Sequence, residues 1–275
     1  MSVNPSDQET MAHYAPSSLW HLTPEALQRD LQQRIHDAVS PIAYPRLVFF
    51  RADDVAVPSR NFSHMIAAFK RRRVPLSMAV VPAWLTRNRW EALRSVAGDD
   101  PALWCWHQHG YQHKNHEPEG KKCEFGASRP TEAIRQDLRR GRDRLSEIMG
   151  PAFFPAFTPP WNRCGTSTLV LLKEMGYYVV SRSKGASSAP PRGLADFSVN
   201  VDLHTRKEPD PETARRNLLD ELETALGGGF CGIMIHHQRM NGAALDFLDN
   251  LLSVLTREPG VRLVHMKDLI ETDTP

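Results

Sequence analysis

From residue 47 onward the chain alternates short apolar runs with amphipathic stretches. Leu47-Val48-Phe49-Phe50 is a run of the buried-strand kind, and Phe62, Met65, Ile66 and Phe69 then fall on one face of a helical repeat. Leu76 to Val81 predicts a second strand, ended by Pro82, and Trp90, Leu93 and Val96 predict the next helix. Leu103 to Trp106 reads as a third strand. Thr131 to Met149 reads as a long helix with an arginine-rich exposed face. Phe153 to Phe157 is strand-like, and Leu169, Leu172 and Met175 mark a helix stopped by Gly176. Tyr177 to Val180 and Phe197 to Val201 follow as strands, with the most flexible loop expected between them at Ser183 to Gly193. Pro211 to Leu226 is a helix ending at Gly227-Gly228-Gly229, and Cys231 to Ile235 a strand. Leu245 to Leu255 is a helix and Val261 to Val264 a last strand. Strands alternating with helices wind through right-handed crossovers into one parallel sheet, open or closed as a barrel. In either form the chemistry sits at the strand C-terminal ends.

Residues 1–45 read as a helical extension ahead of this alternation. Thr23-Pro24-Glu25 supplies a cap and an N1 proline, Leu27, Leu31 and Ile35 line one face, and Pro41 and Pro45 punctuate before the first strand. Residues 46–275 form the main domain, a length that α/β barrels reach without splitting. The 34 basic and 32 acidic side chains nearly cancel, which argues against a nucleic-acid partner. No apolar stretch is long enough to span a membrane and the N-terminus lacks a signal pattern, so a cytoplasmic location is expected. Cys105, Cys123, Cys164 and Cys231 have no C-x-x-C spacing and read as reduced thiols, with Cys105 and Cys231 in the core.

Four of the predicted strands run into chemically capable residues. The first reaches Arg51-Ala52-Asp53-Asp54, the third His107-Gln108-His109-Gly110-Tyr111-Gln112-His113, the fourth Thr158-Pro159-Pro160-Trp161-Asn162-Arg163, and the penultimate His236-His237. Each has an ordinary alternative: helix capping for the aspartates, a polar loop for the histidine stretch, a satisfied core-edge pair for His236-His237. Adjacent carboxylates behind a buried strand are costly unless they are paired or hold a cation. His109 and His113, four apart, would lie on one side of a helical turn and could close on one ion. His107 and His116 read as supporting or loop residues. Lys121, Lys122 and Glu124 read as a solvated loop before substrate contacts, and Asp202 as an orienting or capping carboxylate.

In their order and spacing these motifs resemble the polysaccharide deacetylase superfamily, the NodB-homology domain of carbohydrate esterase family four, over residues 46 to 270. Asp53-Asp54 matches the Asp-Asp pair of its T-F-D-D-G strand, and His109-Gly110-Tyr111-Gln112-His113 its H-[ST]-x-x-H motif. Thr158-Pro159-Pro160-Trp161-Asn162 echoes its R-x-P-x-G-like third motif. Ile233-Met234-Ile235-His236-His237 echoes its late L-x-L-x-H strand, read best with His237 as the catalytic histidine and His236 as the alternate, since a one-residue slip swaps the faces. The resemblance implies a distorted (β/α)7-8 barrel, Asp53 as general base, and a divalent metal, zinc before cobalt, nickel, iron or manganese, on Asp54, His109 and His113. Several positions depart from the pattern. Arg51-Ala52 stands for Thr-Phe, Val55 for glycine, Gly110 for Ser or Thr, and Thr158 for an arginine that orients the aspartate, a charge that Arg163 or Arg51 would have to supply.

The chemistry expected is metal-dependent hydrolysis of an N-acyl group on an amino sugar or glycoconjugate, a small-molecule or oligosaccharide substrate. Trp106, Tyr111, Pro160, Trp161 and Arg163 are the candidate substrate contacts. Two alternatives stand beside it: hydrolysis of a non-sugar amide or cyclic ureide on the same scaffold, and a non-catalytic carbohydrate-binding protein that kept the fold.

Overall fold

A computed structural model describes residues 15–40 and 44–272; Pro41 lies outside the described residues. The core of the molecule is a nine-stranded sheet in which every pairing is parallel. In chain order the strands are β1 (Arg46–Val55), β2 (Leu76–Val80), β3 (Trp104–His109), β4 (Phe153–Thr158), β5 (Val179–Val180), β6 (Ala195–Asp196), β7 (Val201–Asp202), β8 (Phe230–Ile235) and β9 (Val261–Val264). They lie in the order β6-β5-β4-β3-β2-β1-β8-β7. On the edge of β1 away from β8, β9 pairs its first half and β2 its second. Among the described residues no ladder joins the end strands β6 and β7, so the curled sheet is a half-barrel rather than a closed one.

The helices are α1 (Pro24–Gln28), α2 (Leu31–Val39), α3 (Arg60–Arg72), α4 (Arg87–Ala97), α5 (Thr131–Met149), α6 (Thr166–Glu174), α7 (Pro211–Gly227), α8 (Gly242–Arg257) and α9 (Met266–Thr272). Side-chain caps start several of them: Ser59 accepts from the Phe62 amide, Thr86 from Arg89, Asp210 from Thr213 and Asn241 from Ala244. No described helix is long and apolar enough to cross a membrane.

Sequence and structure differ at three elements. The expected strand over 197–201 is two short strands flanking it, β6 and β7, and the strand over 177–180 is reduced to Val179–Val180. The helix expected to carry Leu27, Leu31 and Ile35 breaks in two at Asp30, whose φ is +65°, although all three side chains are buried. With Leu19, Trp20 and Val39 they join the main core between β1, β8 and the helices α7 and α8.

Strand alternation sorts the sheet into two faces, and this sorting places the site. Val48, Phe50 and Ala52 of β1 pack outward against the helices, while Phe49 joins Ala156, Val179, Phe197 and Met234 in a cluster inside the curl. Arg51 and Asp53 share the Phe49 side by the same two-residue period.

Candidate active site

β1, β3 and β8 deliver their polar residues to the C-terminal end of the half-barrel, around a cavity of about 700 Å³. Asp53, Asp54, His109, His113, Trp161, Asn162, Met234 and His236 line its inner part. Asp54 Oδ1 lies 3.2 Å from His109 Nε2 and 3.2 Å from His113 Nε2, and Asp54 Oδ2 lies 3.9 Å from His236 Nε2. One ligand atom from each of Asp54, His109 and His113 falls within 4.8 Å of the other two.

The hydrogen bonding of His109 decides what this cluster can hold. Its Nδ1 is 3.0 Å from the Thr158 carbonyl, which can only accept, so Nδ1 carries the proton. In the neutral ring Nε2 then presents a lone pair to a carboxylate oxygen. Asp54 Oδ1 is buried and has no hydrogen-bond donor. Two lone pairs facing each other in a buried site repel unless a proton or a metal ion lies between them, and an imidazole fixed by a backbone carbonyl is the usual second layer of a metal ligand. One carboxylate and two imidazoles, with room left in the cavity, fit a catalytic divalent site.

Local backbone geometry creates this convergence. His109 ends β3 and His113 sits in the loop beyond it, so the helical turn expected to align the two rings is absent. The chain folds back instead through left-handed conformations at Gly110 (φ +57°) and His113 (φ +59°). The Glu124 carboxylate holds the fold by accepting from the amides of Tyr111, Gln112 and His113 at 3.2, 2.7 and 3.2 Å. Glu124 is thus a buried anchor rather than part of a solvated loop. A Cβ on Gly110 would lie 2.2 Å from Glu124 Oε2 and 2.5 Å from Pro160 Cγ, so this loop excludes any side chain there. Asp54, Trp161 and Asn162 also have positive φ, at 59°, 55° and 60°. Strained non-glycine residues gathered at one cavity are a common mark of a functional site.

Asp53 is held by a charge from its own strand. Arg51, two positions upstream on the same face, donates Nε to Asp53 Oδ1 at 2.7 Å and Nη2 to Oδ2 at 2.8 Å. Ser181 and Asn162 fix the rest of the guanidinium, with Nη1 donating to Ser181 Oγ at 2.8 Å and Nη2 to Asn162 Oδ1 at 2.6 Å. Of the two arginines that could supply the charge absent at Thr158, the paired one is Arg51. Arg163 is exposed at the rim.

Burial would raise the Asp53 carboxyl, but the Arg51 charge and the nearby histidines outweigh it and hold the group below its usual range. Asp54 is likewise lowered, because the three histidines outweigh its burial. Burial pushes His113 down to about 4, keeping it a neutral donor. For His109 burial is opposed by Asp54 and Asp53, and the net effect is upward.

The remaining expected site residues fall into two groups. Trp161 lines the cavity with its ring centroid 4.5 Å from that of His113, and Arg163 stands at the rim. Pro160 is buried beneath the loop at Gly110. Trp106, expected near the metal, is not there: it lies three residues from His109, on the opposite face of β3, edge-on to Trp90 at 5.0 Å. Tyr111 packs beside the cluster of Phe125, Leu138 and Phe157 instead of lining the cavity.

The two histidines after β8 also part to opposite sides. Ile233, Ile235 and His237 do share one face, as the pattern predicts, but that face meets the helices. His237 is buried edge-on to Phe62 at 5.7 Å. Met234 and His236 occupy the inner face, and His236 reaches the cavity. His107 is buried with Nε2 2.9 Å from Thr158 Oγ1. Asp202 caps the turn after β7, accepting from the His204 and Thr205 amides at 3.0 and 2.9 Å.

Two residues gain a supporting role that the sequence did not assign, His204 and Asn162. His204 is buried under Trp20 and takes the His236 amide on Nδ1 at 3.3 Å. Asn162 fixes the arginine that holds Asp53. No local pattern marks His204. For Arg51 the two-residue spacing to Asp53 was an available signal.

No protein-family model matches the chain, and no curated protein does. Solved structures do. A candidate polysaccharide deacetylase from Mycobacterium smegmatis superposes with a TM-score of 0.63 at 17% identity, covering 84% of this chain and 93% of that one. A peptidoglycan deacetylase from Bacillus subtilis gives 0.53 at 14%, covering 82% and 91%. A family-four carbohydrate esterase pseudoenzyme from Bacillus anthracis gives 0.54 at 13%, covering 82% and 66%. The open parallel half-barrel of this chain is therefore the α/β fold of the polysaccharide deacetylases, the NodB-like carbohydrate esterases of family four.

Proposed function

We propose that this protein is a metal-dependent hydrolase that removes an acyl group from the amide nitrogen of an amino sugar or glycoconjugate. The observation that carries the reading is the pairing of two unlike carboxylates: Asp54 faces two imidazole nitrogens, and Asp53 beside it is clamped by an arginine. Asp54, His109 and His113 would hold the ion; nitrogen and oxygen donors suit zinc, with cobalt, nickel, iron or manganese as substitutes. When bound there, a divalent cation polarises an amide carbonyl and lowers the pKa of water towards roughly 7.

The side chains supply the proton transfers. Asp53, kept ionised by Arg51, accepts the proton of the attacking water. His236, across the cavity just past β8, donates a proton to the departing nitrogen as the C–N bond breaks, leaving a carboxylate and a free amine. Trp161 offers a flat face for a sugar ring. A protein that only binds has no need of an oriented carboxylate; the Arg51–Asp53 pair supports the catalytic reading by supplying from β1 the charge that Thr158 lacks.

A pair of variants tests the proposal. Asp53→Ala is expected to abolish amine release while keeping metal content, whereas Asp54→Ala is expected to lose the ion. Both are read by elemental analysis of protein purified without chelator or nickel resin, and by amine release from N-acylated sugars and from non-sugar amides. Unchanged metal and unchanged turnover in both variants would end the reading.

A further inference from the structure

Cations that no carboxylate neutralises dominate the mouth of the cavity. Lys121 and Lys122 reach it from the loop after β3, Arg163 from beyond β4, Lys207 from beyond β7 and Arg239 from beyond β8. None forms an ion pair among the described residues: Arg163 donates to the Lys122 carbonyl and Arg239 to the Ala15 carbonyl. The three carboxylates on the cavity wall are already engaged. Asp53 is bound to Arg51, Asp54 faces the histidines, and both Asp202 oxygens accept from the turn after β7.

Cations from four separate segments repel one another around a concave mouth. Low-dielectric walls focus their field and favour a negative ligand. A neutral sugar chain would leave them without a counterion, and of the aromatic rings named as substrate contacts only Trp161 faces the cavity. We propose that the mouth is an anion subsite and that the substrate carries a phosphate group next to its N-acyl sugar. Lys121, Lys122 and Lys207 take the phosphate, and Arg163 and Arg239 border it. What is done to that ligand rests on the hydrolase reading above; the anion subsite itself does not.

The test compares N-acetylglucosamine with its 1-phosphate and with a nucleoside-diphosphate-linked form, titrated calorimetrically into the metal-loaded protein. Wild type is set against Lys121→Ala/Lys122→Ala and Lys207→Ala, exposed substitutions whose folding is checked by thermal melting. A phosphorylated sugar is expected to bind about tenfold tighter than the neutral one. Most of that gain is expected to vanish in the lysine variants and in high salt, with the neutral sugar unaffected. The tighter of the two phosphorylated ligands distinguishes a free sugar phosphate from a carrier-linked one. Equal binding of charged and neutral sugars overturns the proposal. So does a phosphate preference untouched by the substitutions, which would place the phosphate on the cation at Asp54. Amine release is followed separately: if no sugar is hydrolysed while the lysine-dependent preference persists, the hydrolase reading fails and the anion subsite stands.

Discussion

Arg51 and Asp53 form a two-pronged ion pair within a single strand, at 2.7 and 2.8 Å, with both side chains almost wholly out of solvent. A two-residue offset puts them on one face of β1, and the planar guanidinium matches the carboxylate edge. The orienting charge thus comes from the strand that carries the aspartate, not from the strand across the barrel.

Removing Arg51 leaves a buried carboxylate without its counter-charge. Arg51→Met is expected to lower stability by about 3–5 kcal/mol, the usual cost of breaking one side of a buried pair. Arg51→Met combined with Asp53→Leu removes both charges and is expected to recover much of that loss without recovering turnover. Urea unfolding of the two variants decides it; equal destabilisation in both would show that the pair is not the source of the effect.

His236 and His237 are adjacent but face opposite ways, which separates their roles. His236→Gln is expected to lower kcat by about 10²–10⁴, the range for a general acid, with little change in melting temperature. His237→Gln is expected to act on stability, since its ring packs on Phe62 inside the core. Activity loss tracking His237 rather than His236 would reverse the assignment.

Glu124 touches no cavity wall, yet it sets the path of the loop that carries His113. Glu124→Gln converts part of a three-amide acceptor into a donor and is expected to weaken metal affinity about 10–100-fold, the range for supporting residues around metal ligands. Competition with a metal indicator measures this. Gly110→Ala should act in the same direction, because its Cβ meets that carboxylate. Metal affinity equal to wild type in both variants would mean that the loop holds its shape without them.

Acid should destabilise the fold over a defined window. Burial pushes His107 down to about 3, His237 to about 4 and His204 well below its usual value. Above pH 6.5 these rings are neutral both folded and unfolded and contribute no pH dependence. Below it the unfolded chain binds protons that the folded chain refuses, so stability falls as pH falls, until the folded values near 4 and 3 are reached for His237 and His107. Each ring withdraws about 1.4 kcal/mol per pH unit across that interval. Chemical denaturation between pH 7 and 4 checks the sign; flat stability would show that the rings are solvated.

Much of the fold was legible because alternation of apolar strands and amphipathic helices is a local signal. The long helix α5 falls on its expected Thr131–Met149 bounds, and the run of β1 marks a strand buried on both faces. The ragged stretch from Tyr177 to Val201 was not legible, because strands of two residues carry too few side chains to show a period. Within the site, sequence order brought Asp53, Asp54 and His109 to strand ends and His113 to the loop beyond; it also put Trp106 near the metal and preferred His237 to His236, whereas both side chains lie on the helix-covered face.

By itself the sequence determined which residues stand at the ends of which strands, since periodicity and turn residues are written along the chain. It could not determine which of the two faces of β3 and β8 looks into the curl, because period two is the same for either choice. That was decided by the helices, which cover the face of Trp106 and His237 and leave His109 and His236 to the cavity. The loop geometry that turns His113 back onto Asp54 was likewise decided by tertiary structure. It depends on Glu124, eleven residues further on, whose carboxylate finds the loop amides only when the chain has folded.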